Sequence, residues 1–328
     1  MINFMRRTRA HFGLVFGLMG QSACDGPERT APNGAATASA PVASPGTSSA
    51  PPAGVTSQAR ASKAPFDFAS APLHASVSDF VLVPSKSAVD LAQEAGAEQG
   101  TFVYLGAHLE QLGERESEVR WLTQERAMVP NALIVPIRRG ERASPGEIVL
   151  TSWASGSGLQ RAIVVAGGTA ESPKVRYLDL SLDNPAARAD TDDLLPANTF
   201  HVIRQPGEAG STLACRTAER VERVIVLKLS GSKLLGLGFA GRLASFEEKA
   251  CLPLPLVPPV GVGDTVYVAA LGGFFSAKVE SVDSAFGRVS VRQRFAGAER
   301  TVAVGFTNVA LSIPGMPPPA SSAAATSR

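Results

Sequence analysis

A chain of 328 residues with only three cysteines is long enough for more than one small domain. Its formal net charge is +2, and three of its 31 basic residues, Arg6, Arg7 and Arg9, lie in an opening segment without acids; beyond it, 28 basic residues face 29 acidic ones. Nucleic-acid binders draw most of their affinity from a basic field, so no nucleic-acid partner is expected for a chain so balanced.

The chain opens MINFMRRTRAHFGLVFGLMGQSAC. A basic end, an apolar run from Phe12 to Met19 and the small residues Ser22 and Ala23 follow the plan of a secretory signal peptide, here residues 1–23. The run is far shorter than the roughly 20 residues a membrane-spanning helix needs. Ser22, Ala23 and Cys24 resemble the lipobox of bacterial lipoproteins, although Gln21 stands where that family usually has an aliphatic residue. The resemblance implies that Cys24 is acylated and becomes the first residue of a membrane-anchored envelope protein, each buried methylene adding about 0.8 kcal/mol. An ordinary secretory peptide cut near Ala23, leaving a soluble product, is the alternative. The leaflet and the side of the envelope stay open.

Residues 24–75 are dominated by Ala, Pro, Ser, Thr and Gly, as in APNGAATASAPVASPGTSSAPPAG. Such a segment has too little apolar surface to offset the entropy of ordering it, so a disordered tether is expected. Its reach would be roughly 35–40 Å. Residues 315–328 read as a second disordered tail.

Between them, short β-branched and aromatic runs alternate with Gly, Pro and Asp turns: FVLVP, TFVYLGAHL, EVRWLTQ, ALIVPI, EIVLTSW, RAIVVAG, KVRYLDL, TFHVI. One helix is predicted, Ser87 to Ala97, with Ser87 as cap and Asp90 in the first turn. This pattern predicts an all-β fold. The chain also repeats. Gly146-Glu147 aligns with Gly263-Asp264, 117 positions on, and in both places a strand, a small-residue turn and two more strands follow. Upstream, FVYLGAHL and VIVLKLSG occupy comparable places. Two related modules are therefore expected, at residues 76–206 and 215–314.

GEIVLTSWASGSGLQRAIVVAGGTAESPKVRYLDL and GDTVYVAALGGFFSAKVESVDSAFGRVSVRQRF resemble the Tudor group of small SH3-like barrels. The resemblance implies two tandem barrels with cores at 146–203 and 263–313. Tudor domains often hold methylated Lys or Arg in an aromatic cage. Trp153 and Tyr177 match two cage positions, but Leu180 and Leu159 stand where other rings are expected. The second copy has Ala270 and Arg292 in place of the two rings. Trp153 and Tyr177 are thus ligand-contact candidates or barrel-packing residues.

Cys215 and Cys251 form an even pair, to be read as a disulfide or as two buried thiols. The four histidines (His11, His74, His108, His201) have no metal-ligand spacing, and no metal or cofactor is expected. Ser157 lacks the flanks of a nucleophile elbow, and Ser230 and Lys233 match a bare S-x-x-K pattern in a strand-turn setting, read as a solvated turn. Asp190, Asp192 and Asp193 lack calcium-loop spacing and read as a polar turn before Leu194. Asp179 and Asp183 read as strand-end residues. Arg138, Arg139 and Arg142 make the densest basic patch, a solvated hairpin or a contact for an anionic envelope polymer.

The expectation is a non-catalytic binding or scaffold module that holds a protein or cell-wall component, with Asp179, Arg138 and Arg139 beside the two aromatics as candidate contacts. A cell-wall-modifying hydrolase and a reader of modified peptides are the alternatives.

Overall fold

The computed structural model describes residues 68, 72–95, 100–152, 158–179, 192–295, 298–313 and 315–317. The leader, Cys24, the tether, Trp153, Ser157, Leu180, Asp183, Asp190 and most of the C-terminal tail lie outside the described residues, which all belong to one compact unit, Ala59–Arg328.

Four antiparallel sheets of five strands build this unit. The first holds β1 (Phe80–Pro84), β2 (Tyr104–Gln111), β3 (Glu116–Trp121), β4 (Arg126–Pro130) and β5 (Val135–Pro136), with helix α1 (Lys86–Ala95) between β1 and β2. The second holds β6 (Ile148–Ser152), β7 (Leu159–Val165), β8 (Lys174–Tyr177), β9 (Asp193–Leu194) and β10 (Phe200–Ile203). The third holds β11 (Thr212–Arg216), β12 (Val221–Ser230), β13 (Lys233–Leu237), β14 (Leu243–Glu247) and β15 (Cys251–Pro253). The fourth holds β16 (Thr265–Ala270), β17 (Gly273–Asp283), β18 (Arg288–Phe295), β19 (Ala298–Gly305) and β20 (Val309–Ala310). In each sheet the first four strands lie side by side in chain order and the short fifth returns to pair with the first.

The fold is therefore all-β, as its alternating segments predict. Strand β3 illustrates the cause: Ser117, Val119 and Trp121 point inward while Glu116, Glu118 and Arg120 face out. Two expectations change in detail. Each expected module corresponds to a pair of sheets. Among the described residues no ladder joins the edge strands of a sheet, so the pairing is that of open sheets rather than closed barrels. The repeat is a sheet pair. Strands β2, β3, β4 and β6 begin at 104, 116, 126 and 148, and β12, β13, β14 and β16 begin 117 positions later at 221, 233, 243 and 265. Only the first pair carries α1, which breaks the period upstream.

One turn recurs four times. In Ser76–Asp79, Ser144–Glu147, Glu208–Ser211 and Gly261–Asp264 the fourth N–H bonds the first carbonyl. The third residue has positive φ, as type II turns require: Ser78 (69°), Gly146 (91°), Gly210 (89°) and Gly263 (92°). Its N–H bonds the carbonyl of Leu109, Val164, Val226 or Val279 on the second strand, and that residue's N–H bonds back to the fourth turn residue. In three copies a carboxylate closes the turn: Asp79, Glu147 and Asp264 accept from the N–H of Ser76, Ser144 and Gly261 at 2.6–2.7 Å. In the third sheet Ser211 Oγ takes this place, donating to the Glu208 carbonyl and accepting from Gly207 N–H.

Local corrections follow. Helix α1 begins at Lys86, because the Ser85 carbonyl accepts the first helical bonds, and Asp90 pairs with Lys86 at 2.7 Å instead of facing the helix start. ALIVPI is a 3-10 turn, Asn131–Leu133, followed by the two-residue β5. Its buried Asn131 accepts from Ser117 Oγ and donates to the carbonyls of Gly113 and Glu114. Asp193 and Leu194 form β9 rather than a helical turn, and Asp192 pairs with Lys174 and Arg176. Ser230 and Lys233 flank the β12–β13 turn, as expected. Cys215 and Cys251 face each other on β11 and β15 as a disulfide, which on the chain-entropy model contributes about 4 kcal/mol.

The largest core cluster draws on the first three sheets and α1, with Trp121 as its largest side chain. A separate cluster, including Tyr267, Phe274 and Leu254, joins the third sheet to the fourth. Lys228 on β12 donates to the Asn131 carbonyl at 2.8 Å, tying the third sheet to the first.

The four turns predict unequal tolerance. Gly263→Ala meets open space and only the positive φ, so urea denaturation should show a loss of about 1 kcal/mol. Gly210→Ala would place Cβ 2.9 Å from Ile203 and 3.0 Å from Leu150, so its loss should be larger, about 2–3 kcal/mol. Equal losses would contradict the turn assignment.

Candidate functional site

Strand β7 reads LQRAIVV and is buried along all but its last residue, with Arg161 in the middle at 0 % exposure. A guanidinium there must be paired, because an unpaired buried charge is prohibitively costly. Asp179, just past β8, supplies the partner. Its Oδ2 accepts from Arg161 Nε at 2.8 Å and from the Arg161 backbone N–H at 3.0 Å, and its Oδ1 accepts from Arg161 Nη2. This is the forked geometry that suits arginine to carboxylates.

Other sheets complete the cluster. Arg161 Nη1 donates to Thr212 Oγ1 on β11. Asn308, in the turn before β20, accepts from Arg161 Nη2 at 3.1 Å and from Arg223 Nε at 3.0 Å. Arg223 on β12 reaches Asp179 Oδ1 with Nη2 at 3.3 Å, and Asn308 Nδ2 reaches the same oxygen at 3.4 Å. Thus the second, third and fourth sheets share one polar knot. Nearby, Arg288 Nη2 donates to the Tyr177 carbonyl at 2.6 Å, and Arg176 lies 3.7 Å over the Phe286 ring, again joining second and fourth sheets.

Burial alone would raise the Asp179 pKa, but the charge and bonds of Arg161, then the charge of Arg223, hold this carboxyl well below the usual range. Burial and then the like charge of Arg161 push Arg223 down to about 10, with Asp179 opposing. Arg223 therefore stays charged at neutral pH.

A cavity of about 360 Å³ opens beside the knot, lined by Asp179, Arg223 and Asn308 on its polar side and by Leu159, Ile225, Phe239, Ala269, Ala270, Leu271 and Gly272 elsewhere. Leu271 and Gly272 are the two-residue loop between β16 and β17, with φ of 48° and 79°. Positive φ at both positions is the I′ hairpin signature, which favours Asn, Asp or Gly. Leu271 is 54 % exposed there, and Phe239, packed against Gly272, is 51 % exposed. A second cavity of about 490 Å³ lies beyond the loop, lined in part by the chain's own Gly315, Met316 and Pro317.

Of the expected contacts among the described residues, Asp179 alone lines this site. Tyr177 is 1 % exposed and packs with Val149, Ala162 and Phe200 in the core of the second sheet, in keeping with the packing alternative of its two readings. Trp153 is outside the described residues. Arg138 and Arg139 are exposed on another surface; Arg139 pairs with Asp79 and donates to the Val77 carbonyl at 3.1 Å, and Arg142 pairs with Glu171. These pairs offset two of the three charges of that patch. His201 bonds Glu141 at 3.1 Å, in a cluster completed by Arg204. Among the described residues no group of three or more His, Cys, Asp or Glu is placed to hold a metal.

Arg161, Arg223, Asn308 and Leu271 are not among the contacts expected from sequence. Arg161 carried a signal, since it interrupts an otherwise apolar strand. Arg223 and Asn308 carried none. No protein-family model matches the chain, and no curated protein matches it.

Asp179→Asn should destabilise the fold by about 3–5 kcal/mol at pH 7, because the buried Arg161 charge loses its counter-charge. The depressed carboxyl stabilises fully above its unfolded value near 3.9, and that contribution is lost as pH falls below it. Urea midpoints at pH 7 and pH 3 should therefore fall more steeply for wild type than for D179N. Parallel pH profiles would refute the pairing.

Proposed function

We propose that this chain is a non-catalytic binding or scaffold module of the cell envelope, anchored through lipid on Cys24. The observation that carries the binding part is the cavity beside the Asp179–Arg223 pair, with exposed Phe239 and Leu271 at its mouth. Polar groups set among large apolar side chains in a concave site are the usual make-up of a ligand pocket. The export part rests on the basic, apolar and small-residue order of the leader and on the Ser22-Ala23-Cys24 match.

Each sheet also supports an SH3-like reading. Four strands in meander order and a short fifth that returns to the first are the order expected of that class. Three of the four fifth strands follow a 3-10 turn at once or after one residue: Asn131–Leu133, Glu248–Ala250 and Phe306–Asn308. On this reading the chain carries four such units in two pairs. Small β folds of this kind host many ligands, so the function is argued from the cavity and not from the architecture.

Two measurements test the proposal in the native host. A clickable fatty acid should label the wild type and leave Cys24→Ala unlabelled; an unlabelled wild type removes the anchor. A photo-crosslinking residue at Phe239 should yield a discrete adduct in intact cells, whereas one at Leu122, equally exposed on the β3–β4 turn, should not. No adduct at Phe239, or the same adduct at both, removes the binding site.

A further inference from the structure

The cavity has a charge imbalance. Among the described residues, Asp179 and Arg223 are the only charged ones lining it. Asp179 spends both oxygens on five donors, three of them from Arg161. The single negative charge is thus held in a fork by a fully buried guanidinium, and Arg223 keeps only a 3.3 Å contact to it. Two positive charges share one negative one. Arg223 is 22 % exposed, its Nε and Nη2 are engaged, and its Nη1 has no hydrogen-bond partner among the described residues. A guanidinium with an open donor edge and a surplus of positive charge beside it matches an incoming carboxylate.

The rest of the wall is apolar and bulky: Leu159, Ile225, Phe239 and Leu271. Leu271 sits where the backbone disfavours it. A leucine at φ 48° is strained, and Asn or Gly would relieve that strain. Its apolar side chain, half exposed at the cavity mouth, offers a use that the strain by itself does not.

We propose that this cavity binds the C-terminal carboxylate of a peptide ending in a bulky apolar residue, with Arg223 Nη1 taking the carboxylate and Leu159, Ile225, Phe239 and Leu271 enclosing the last side chain. The inference rests on the binding reading above and names its ligand class. The volume suits one or two residues, so the rest of the peptide lies outside. A small last side chain such as alanine leaves most of the apolar wall uncovered. A carboxylate without a peptide lacks the chain that would continue past the mouth.

Fluorescence anisotropy with the purified full chain tests this. The probe is fluorescein-labelled Gly-Ser-Gly-Ser-Leu with a free carboxylate. It should bind saturably, and its C-terminal amide should bind at least about tenfold more weakly, since one charge-assisted bond is lost. The same peptide ending in alanine should be weaker than the leucine form, and octanoate should compete poorly. Arg223→Gln should weaken the free acid by at least about tenfold and abolish its preference over the amide. Leu271→Asn should weaken it several-fold while keeping or raising the melting temperature, because Asn accepts positive φ. That variant separates loss of ligand from loss of fold if R223Q folds poorly. Equal binding of acid and amide, unchanged affinity in L271N, stronger competition by octanoate, or no saturable binding up to about 1 mM, the weak end of specific affinity, overturns the assignment. If the Phe239 crosslink in cells persists while the acid peptide does not bind, the ligand class is wrong and the binding reading stands. If both fail, both are wrong.

Discussion

Arg161 sits inside β7 with no access to water, and its charge can be tolerated there only because Asp179 grips it from the end of the neighbouring strand. Removing a charge from water costs several kcal/mol, so the pair is valuable less as a source of net stability than as a constraint. A fork allows one orientation. Once it forms, Thr212, Arg223 and Asn308 can complete their bonds only if the third and fourth sheets sit where they do. A single polar knot thereby determines how three sheets meet.

The knot also shapes the cavity. Asp179 is saturated by donors, so it presents little free negative charge, and Arg223 carries what the carboxylate does not neutralise. The β16–β17 loop closes the far side through a leucine in a left-handed conformation. The second, third and fourth sheets each contribute both polar and apolar lining residues, so the site exists only in the assembled unit. Strain at Leu271 is affordable because the hairpin around it pairs over six residue pairs between β16 and β17.

The four turns work at a more local level. Each places a positive-φ residue just before the first strand and bonds it to the second, fixing where the sheet begins. The closing side chain varies: aspartate, glutamate, serine, aspartate, the serine closing as a donor. This variation explains what could be read beforehand. Gly146-Glu147 and Gly263-Asp264 share a visible Gly-acid pair, so the second and fourth sheets were recognisable as copies. Ser78-Asp79 and Gly210-Ser211 form the same turn with other residues, so the first and third sheets were seen only as vague upstream likenesses. The turn demands a backbone angle and a closing polar side chain, and several residue types meet each demand.

Local alternation by itself determined that the chain is all-β, where most strands lie and the 117-residue spacing of two Gly-acid turns, because these depend on neighbours along the chain. It left open whether Cys215 and Cys251 join, and their direct opposition on β11 and β15 decided that. It left Tyr177 between a ligand contact and a packing residue, and packing of the second sheet puts that ring in the core. Asp179 reads along the chain as a strand-end acid and a candidate contact; its role comes from partners 18, 44 and 129 positions away. Charges and cavities depend on such distant neighbours, and only the folded chain brings them within a hydrogen bond's length.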